Sequence, residues 1–557
     1  MPAREIAITV AKPWTSLVGR GMRMLSATAM LLPAAAMRLA APATRLVFEP
    51  PTRSVARKHV FCGTKEALLS PGCQGLLPSG LPYLRWKYLV ESAEEGMGKD
   101  GSSATWMFMA EDKKPSTIIA ALLPERCSRH ASPVRPHAVT ALVKGTQSAS
   151  LTVVLEDPSH AAGAACAIGR AFPRFTAKTT RAKNTKTEGE TVSVGFATAK
   201  GVLQGEKYPY ASYAAAAEGV RRAARLVDLP PDQLTTNAFV AEAEATAERL
   251  NALGKSVSCE VISGETLRER GYGYLWGVGK AAVEPPALVV LSHLPAADDA
   301  RVTTCLVGKG IVYDTGGLSL KTKDGMPGMK SDMGGAAALL GAFEAAVEIG
   351  VGADKALHLV LCLAENAIGP NAVRNDDVLT GFSGLTCEIN NSDAEGRLVL
   401  ADGVAHATAK PALLPGLADG AQPDLVVDMA TLTGAQLIAT GKRHAGIVAN
   451  LEDVEVAAVK AGRLSGDTVH PLPFAPEIFQ SEFESKVADM KNSVKDRSNA
   501  QSSCAANFIY EHLHPEYEGG WLHVDLAGPS FIEERGTGYG VGLTLALLEV
   551  EGFEPTP

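Results

Sequence analysis

The stretch TTCLVGKGIVYD, Thr303 to Asp314, decides the fold. It is an almost unbroken apolar run that turns polar at its carboxyl end, the pattern of a strand covered on both faces. ALVVLSH (Ala287–His293) stands before it. After it come an Ala-rich helical segment from Met333 to Glu348, a second apolar run HLVLCLA, a helical segment after Arg397, and a third run DLVVDMA. Strands alternating with helices in this way predict an α/β fold with a mixed, mainly parallel sheet flanked by helices. Ligands of such sheets gather at the carboxyl ends of the strands. The polar residues that stand there are Asp314, then Glu365 and Asn366, then Thr431 to Gly434.

Upstream, an Ala-rich pattern from Tyr210 to Val227 predicts a long helix that Pro230 and Pro231 stop. Before it, short apolar runs (STIIAALL, AVTALV, SLTVVL) mix with helical patches such as Ala161–Ala171, and the polar stretch Thr176–Glu190 reads as a solvated loop. At 557 residues the chain exceeds one ordinary core. The organisation expected is an extension over residues 1–45, an N-terminal α/β domain over 46–206, and a linker helix with a catalytic domain over 207–557. The extension carries Arg4, Lys12, Arg20, Arg23, Arg38 and Arg45 against Glu5 alone. It is compatible with an organelle transit peptide, a secretory signal, or a start upstream of the true methionine.

A hydrophobic content of 46% with 20% charged residues describes a globular protein. The net charge of −8 argues against a general nucleic-acid binder. None of the nine cysteines forms a C-x-x-C, which removes the zinc-ribbon and redox readings and fits a reducing compartment. The expected location is the cytoplasm, or an organelle if residues 1–45 are a transit peptide. No run is long and apolar enough for a membrane span.

Two segments carry chemistry. VGKGIVYDTGGLSLKTKDGMPGMKSDMGGAAA places Lys309, Asp314, Lys321 and Asp332 around turns at Gly316 and Gly317; NNSDAEGRLVLADG supplies Asp393, Glu395 and Arg397, which share one face if the piece is extended. Four carboxylates in one pocket repel one another and lose hydration, a cost that divalent cations remove. Two ions about 3.5–4 Å apart can share a water and clamp both oxygens of a hydrolytic transition state. An oxygen-rich set without histidine suits zinc, manganese, magnesium or cobalt alike. A lysine beside a metal can ligate as a neutral amine, a second can stabilise an oxyanion, and the planar fork of Arg397 can hold a small carboxylate.

These segments resemble the leucine aminopeptidase (cytosol aminopeptidase) family, whose signature N-T-D-A-E-G-R-L stands here as Asn391 to Leu398 with Ser392 for Thr. LVDLPPDQLT, GVGKAAVEPPALVVL, DMATLTGAQLIATG and WLHVDLAGP extend the similarity from about Leu226 to Leu545. The resemblance implies a metalloaminopeptidase that removes the N-terminal residue of short peptides, leucine-like by default, through a hydroxide bridging two divalent ions. Lys309, Asp314, Asp332 and Glu395 would hold the more exchangeable ion, and Asp314, Asp393 and Glu395 the other. Lys321 would stabilise the tetrahedral intermediate, and Arg397 would bind bicarbonate as the general base. Met329, Thr431 and Gly434 would line the first side-chain pocket, with Leu432 offering its carbonyl. A homohexamer is implied. The alternatives are a narrower dipeptidase and a non-catalytic scaffold of the same fold.

The chain departs from the family at Leu385, where Lys is usual, at Asn375-Asp376 in place of Pro-Gly, and at an insertion over 412–422. Taken singly, several residues have plainer readings. Asp332 before an Ala-rich helix would be an N-cap, Asp314 part of a hairpin turn, and Lys309 a turn residue between glycines. Glu365, His444 and His523 read as structural, Met326 and Met333 as core, and Gly536–Gly540 as a turn before the last helix.

Overall fold

The computed structural model describes residues 44–52, 56–178, 190–294, 302–418 and 420–554. Most of the 1–45 extension and residues 179–189 of the polar loop lie outside them. The fold is mixed α/β, as the alternation of patterns requires, and is built on two large sheets.

The first sheet has seven strands, with Lys58–Gly63, Ser150–Leu155 and Thr191–Thr198 side by side and parallel at its centre. Ala161–Ala171, whose alanines and glycines are all buried, shares a core with it. The linker helix Tyr210–Asp228 then packs on both this helix and Gly334–Ile349 of the C-terminal part. Close approach is what the small residues permit: a Cβ on Gly219 would lie 2.6 Å from the carbonyl of Gly341, and one on Gly341 would lie 2.6 Å from the carbonyl of Gly219. Arg221 ties the junction by donating to the carbonyls of Phe172 (2.9 Å) and Thr44 (2.7 Å).

The second sheet has eight strands, with Gly520–Asp525, Leu425–Ala430, Val302–Asp314 and Lys355–Asn366 parallel at its centre and antiparallel strands outside them. Alternate residues of the central strands enter two different cores. Leu306, Leu359, Leu361 and Val427 pack with Gly334–Ile349 on one face. Val307, Val360, Cys362 and Val426 pack with Leu398, Leu400, Ala401 and Val404 of the helix Gly396–Ala407 on the other. The chain leaves Val302–Asp314 toward one neighbour over the first face and reaches the other neighbour over the second, so its carboxyl end is the point where the strand order reverses, the usual place for a ligand. Pairing with Leu425–Ala430 stops at Gly308, whereas pairing with Lys355–Asn366 continues to Asp314. The stretch Lys309–Asp314 therefore borders an open edge. No helix among the described residues is long and apolar enough to cross a membrane.

Two of the alternative local readings are not met. Asn390–Ala394 is a turn rather than an extended piece, and Glu395 immediately precedes the helix in which Arg397 is the second residue. Asp332 is not an N-cap: Met333 precedes the helix with no side-chain cap, and the Asp332 carboxylate is spent elsewhere. At the departure Asn375-Asp376, Asp376 sits at φ 72°, the left-handed region where the family's Gly is at ease and Asp is tolerated.

Candidate active site

Lys309 lies in mid-strand, not in a turn, and its side chain is 3% exposed. Its ammonium uses all three donors, to Asp332 Oδ1 (2.8 Å), Glu395 Oε1 (3.1 Å) and the Thr431 carbonyl (3.0 Å). Burial pulls its pKa down, but Asp332, Glu395 and Asp314 outweigh that and hold it above the ordinary lysine value. The helix N-terminus must be glycine to admit this side chain, since a Cβ on Gly396 would lie 2.6 Å from Lys309 Cε and Nζ. Asp332 also accepts from Thr431 Oγ1 (2.9 Å).

Lys321 forms the second hub, 2.7 Å from Asp314 Oδ2 and 2.5 Å from Asp393 Oδ1. Asp314 Oδ1 accepts from the Gly316 amide and from Asn366 Nδ2, both at 2.8 Å. Asn366 also donates to the Ser392 carbonyl (3.1 Å), and Ser392 Oγ accepts from the Ser319 amide (2.7 Å) and donates to the Gly316 carbonyl (2.7 Å). The serine that replaces threonine in the signature thus joins the two segments predicted to carry the site.

Four carboxylates here face two ammonium groups. Burial pushes Asp332 well above the usual carboxylate range against the pull of Lys309, and burial with the charge of Glu395 pushes Asp314 up to about 6. Burial also raises Asp393. Glu395 is buried too, but Lys309 and Lys321 bring it below its ordinary value. Asp314, Asp332 and Glu395 each offer an oxygen within 4.8 Å of the others, and Asp332 Oδ2 is buried with no hydrogen-bond partner. An oxygen-rich, buried cluster with surplus negative charge and an unpartnered oxygen fits divalent cations.

Arg397 is buried under the second face, and burial brings its pKa down to about 10. Its Nε and Nη1 have no partner among the described residues. Thr431 and Leu432 follow the strand Leu425–Ala430, and Asp525 accepts from the amides of Leu432 (3.1 Å) and Thr433 (3.4 Å). Gly434 opens the helix Gly434–Ala439 with nothing within 4 Å of where a Cβ would stand. Met329 lies half-buried in the turn Met329–Ser331, directly before Asp332.

The structure therefore brings Lys309, Asp314, Lys321, Asp332, Asp393 and Glu395 into one cluster with Thr431. It leaves Arg397 outside that hydrogen-bonded set. Sequence reading assigned no role to Asn366, Ser319, Asp525 or Asn492. Asn366 and Ser319 were legible, the first at the carboxyl end of a predicted strand and the second inside the segment around Asp314; Asp525 and Asn492 come from distant segments. Glu365 and His444 lie outside the cluster, His444 bonding the His130 carbonyl (2.8 Å), and His523 is a buried partner of Asp428 (2.5 Å). All nine cysteines are free.

Carboxylates and lysines clustered at the carboxyl edge of a mainly parallel sheet have the chemistry that a metal-dependent hydrolase uses. Residues 221–546 match the model of the cytosol aminopeptidase family catalytic domain, and residues 87–181 match the M17 aminopeptidase N-terminal domain 2. The chain belongs to the cytosol aminopeptidase family and is an aminopeptidase. It is 49% identical over 443 residues to a Homo sapiens protein named probable aminopeptidase NPEPL1, covering 78% of this chain and 80% of that one. Its fold matches leucyl aminopeptidase from Trypanosoma brucei, solved with bestatin, with a TM-score of 0.79 and 37% identity over 91% of this chain and 96% of that one. It also matches the bottromycin maturation enzyme BotP, solved with Mn, with a TM-score of 0.68 and 26% identity over 88% and 99% of the two chains.

Proposed function

We propose that the protein hydrolyses the N-terminal peptide bond of short peptides, with a leucine-like first residue preferred, at a centre of two divalent ions. The observation that carries this reading is the convergence of Asp314, Asp332 and Glu395 within 4.8 Å around a buried lysine. Lys309, Asp314, Asp332 and Glu395 would hold one ion, and Asp314, Asp393 and Glu395 the other. When bound, the ions supply Lewis acidity and a water activated at neutral pH. Manganese or zinc suits the donor set, and magnesium or cobalt fits it too; the Mn of BotP supports manganese.

The chain's own residues do the rest. Lys321, aimed by Asp314 and Asp393, offers its ammonium to the oxyanion that develops as the carbonyl is attacked. The unpartnered donors of Arg397 would hold bicarbonate, the base that takes up a proton. The substrate's free amine lies beside Asp332. Met329, Thr431 and Gly434 line the pocket for the first side chain, where the open space at Gly434 leaves room, and the Leu432 carbonyl accepts from the substrate. The active form is a homohexamer of the cytoplasm, which supports a preference for short peptides if its sites face an interior cavity.

The test is turnover of a panel of aminoacyl amides after metal is stripped and manganese, zinc or cobalt restored. Activity returns with metal and is highest on leucine amide, and Asp393→Ala or Glu395→Ala abolishes it. Full activity without metal, or in either variant, refutes the reading.

A further inference from the structure

The turn Asn390–Ala394 carries Asp393 and delivers Glu395, yet it belongs to no strand or helix. Asn492, fully buried and far along the chain, is wrapped by it. Its Oδ1 accepts from the amides of Asn390 (2.9 Å) and Asn391 (3.3 Å). Its Nδ2 donates to the carbonyls of Asn391 (2.7 Å) and Ala394 (3.2 Å). Every hydrogen-bonding position of the amide is thereby spent on the backbone of one turn. The segment that bears it is itself anchored: Met490–Lys491 pairs with Cys387–Glu388, and Asn390 exchanges two bonds with the backbone of Ser493 (2.9 and 3.1 Å). Asn391 Oδ1 then accepts from the Asp393 amide (3.0 Å).

We infer that Asn492 is a positioning residue of the metal centre, fixing the backbone from which Asp393 and Glu395 reach the ions while touching no reacting group. The inference rests on the two-ion reading above. Only an amide serves here. A carboxylate of the same shape keeps the two acceptor contacts but turns a negative oxygen toward two carbonyls, and serine lacks the reach to meet both sides of the turn. Carboxylates that ligate ions tolerate displacements of about 0.5 Å, and loss of a residue that orients ligands weakens metal binding or activity by about 10–100-fold.

The experiment titrates manganese into the chelator-stripped full chain, counting bound ion by electron paramagnetic resonance, for the wild type, Asn492→Asp, Asn492→Ser and Asn390→Ala. The last removes the neighbouring bonds to Ser493 and leaves the Asn492 contacts to the turn intact. The expected result is manganese affinity reduced about 10–100-fold in both Asn492 variants and changed less than about threefold in Asn390→Ala. In the metal-saturated Asn492 variants kcat falls while KM for leucine amide stays near the wild-type value. Wild-type affinity in the Asn492 variants, an equal loss in Asn390→Ala, or failure of both Asn492 variants to fold overturns the inference. Failure of the two-ion reading is distinct, because the wild type itself would then bind no manganese.

Discussion

Lys321→Met separates catalysis from metal binding. The side chain is 16% exposed and is the cation paired with both Asp314 and Asp393. Methionine keeps the apolar stem and deletes the ammonium. In the metal-free protein this leaves two carboxylates facing each other without Lys321. Breaking a buried pair costs about 3–5 kcal/mol, and the partial exposure of Lys321 and Asp393 places this case at the lower end, about 3 kcal/mol. With ions bound the carboxylates regain cationic partners, so the stability gap between variant and wild type narrows. The catalytic loss does not narrow. An oxyanion donor is worth about 100–1000-fold in kcat, or about 2.7–4 kcal/mol. The assay combines kcat on leucine amide at saturating manganese, chemical denaturation with and without metal, and metal content per chain. Full metal occupancy with kcat less than about tenfold reduced would refute the assignment of Lys321, and so would a kcat loss that follows metal loss in proportion.

Gly396→Ala drives a methyl group against Lys309, which its three partners hold in place; stability falls by about 1–3 kcal/mol, and manganese affinity falls with it, as a melting scan and a titration would record. Arg397→Met removes the unpartnered donors; bicarbonate added to dialysed enzyme raises wild-type kcat and leaves the variant unmoved, and a matching response in the variant would exclude the role. His358, His406 and His512 are buried as neutral rings, burial bringing each pKa down to about 4, with bonds to Ser292 Oγ, Tyr272 OH and the Phe508 carbonyl. Because the unfolded rings titrate near 6.5, the unfolded chain binds more protons between about pH 6.5 and 4. Stability is therefore whole above that range and declines through it by up to about 3 kcal/mol per ring. Denaturation at pH 7, 5.5 and 4.5 checks this, and a flat profile would contradict it.

The strand patterns were legible because the central sheet is buried on both faces, and apolar runs such as Leu359–Ala364 have few other homes. The linker helix was read almost to the residue, Tyr210–Asp228 against Tyr210–Val227. The cluster around Lys309 was reached through family resemblance. Local rules would have made Asp332 a cap and Lys309 a turn residue, and both lost to a tertiary ion pair that propensity does not encode. The D-x-E-x-R alternation failed as period-two geometry because a turn ends at Ala394 and a helix begins at Gly396, so the three side chains do not share the face of one strand. Asn492 and Asp525 lay beyond reach for a simpler reason. Each acts on a backbone segment about a hundred residues away, and nothing local in KNSVK or VDLAG marks that contact.

The pair of bound ions is tested most directly by elemental analysis of the purified chain after saturation with manganese and removal of the excess, beside Glu395→Ala, which deletes one of the two carboxylates assigned to both ions. Two equivalents per chain in the wild type and fewer than one in the variant are expected. One equivalent or none in the wild type, or two retained in the variant, would contradict the account.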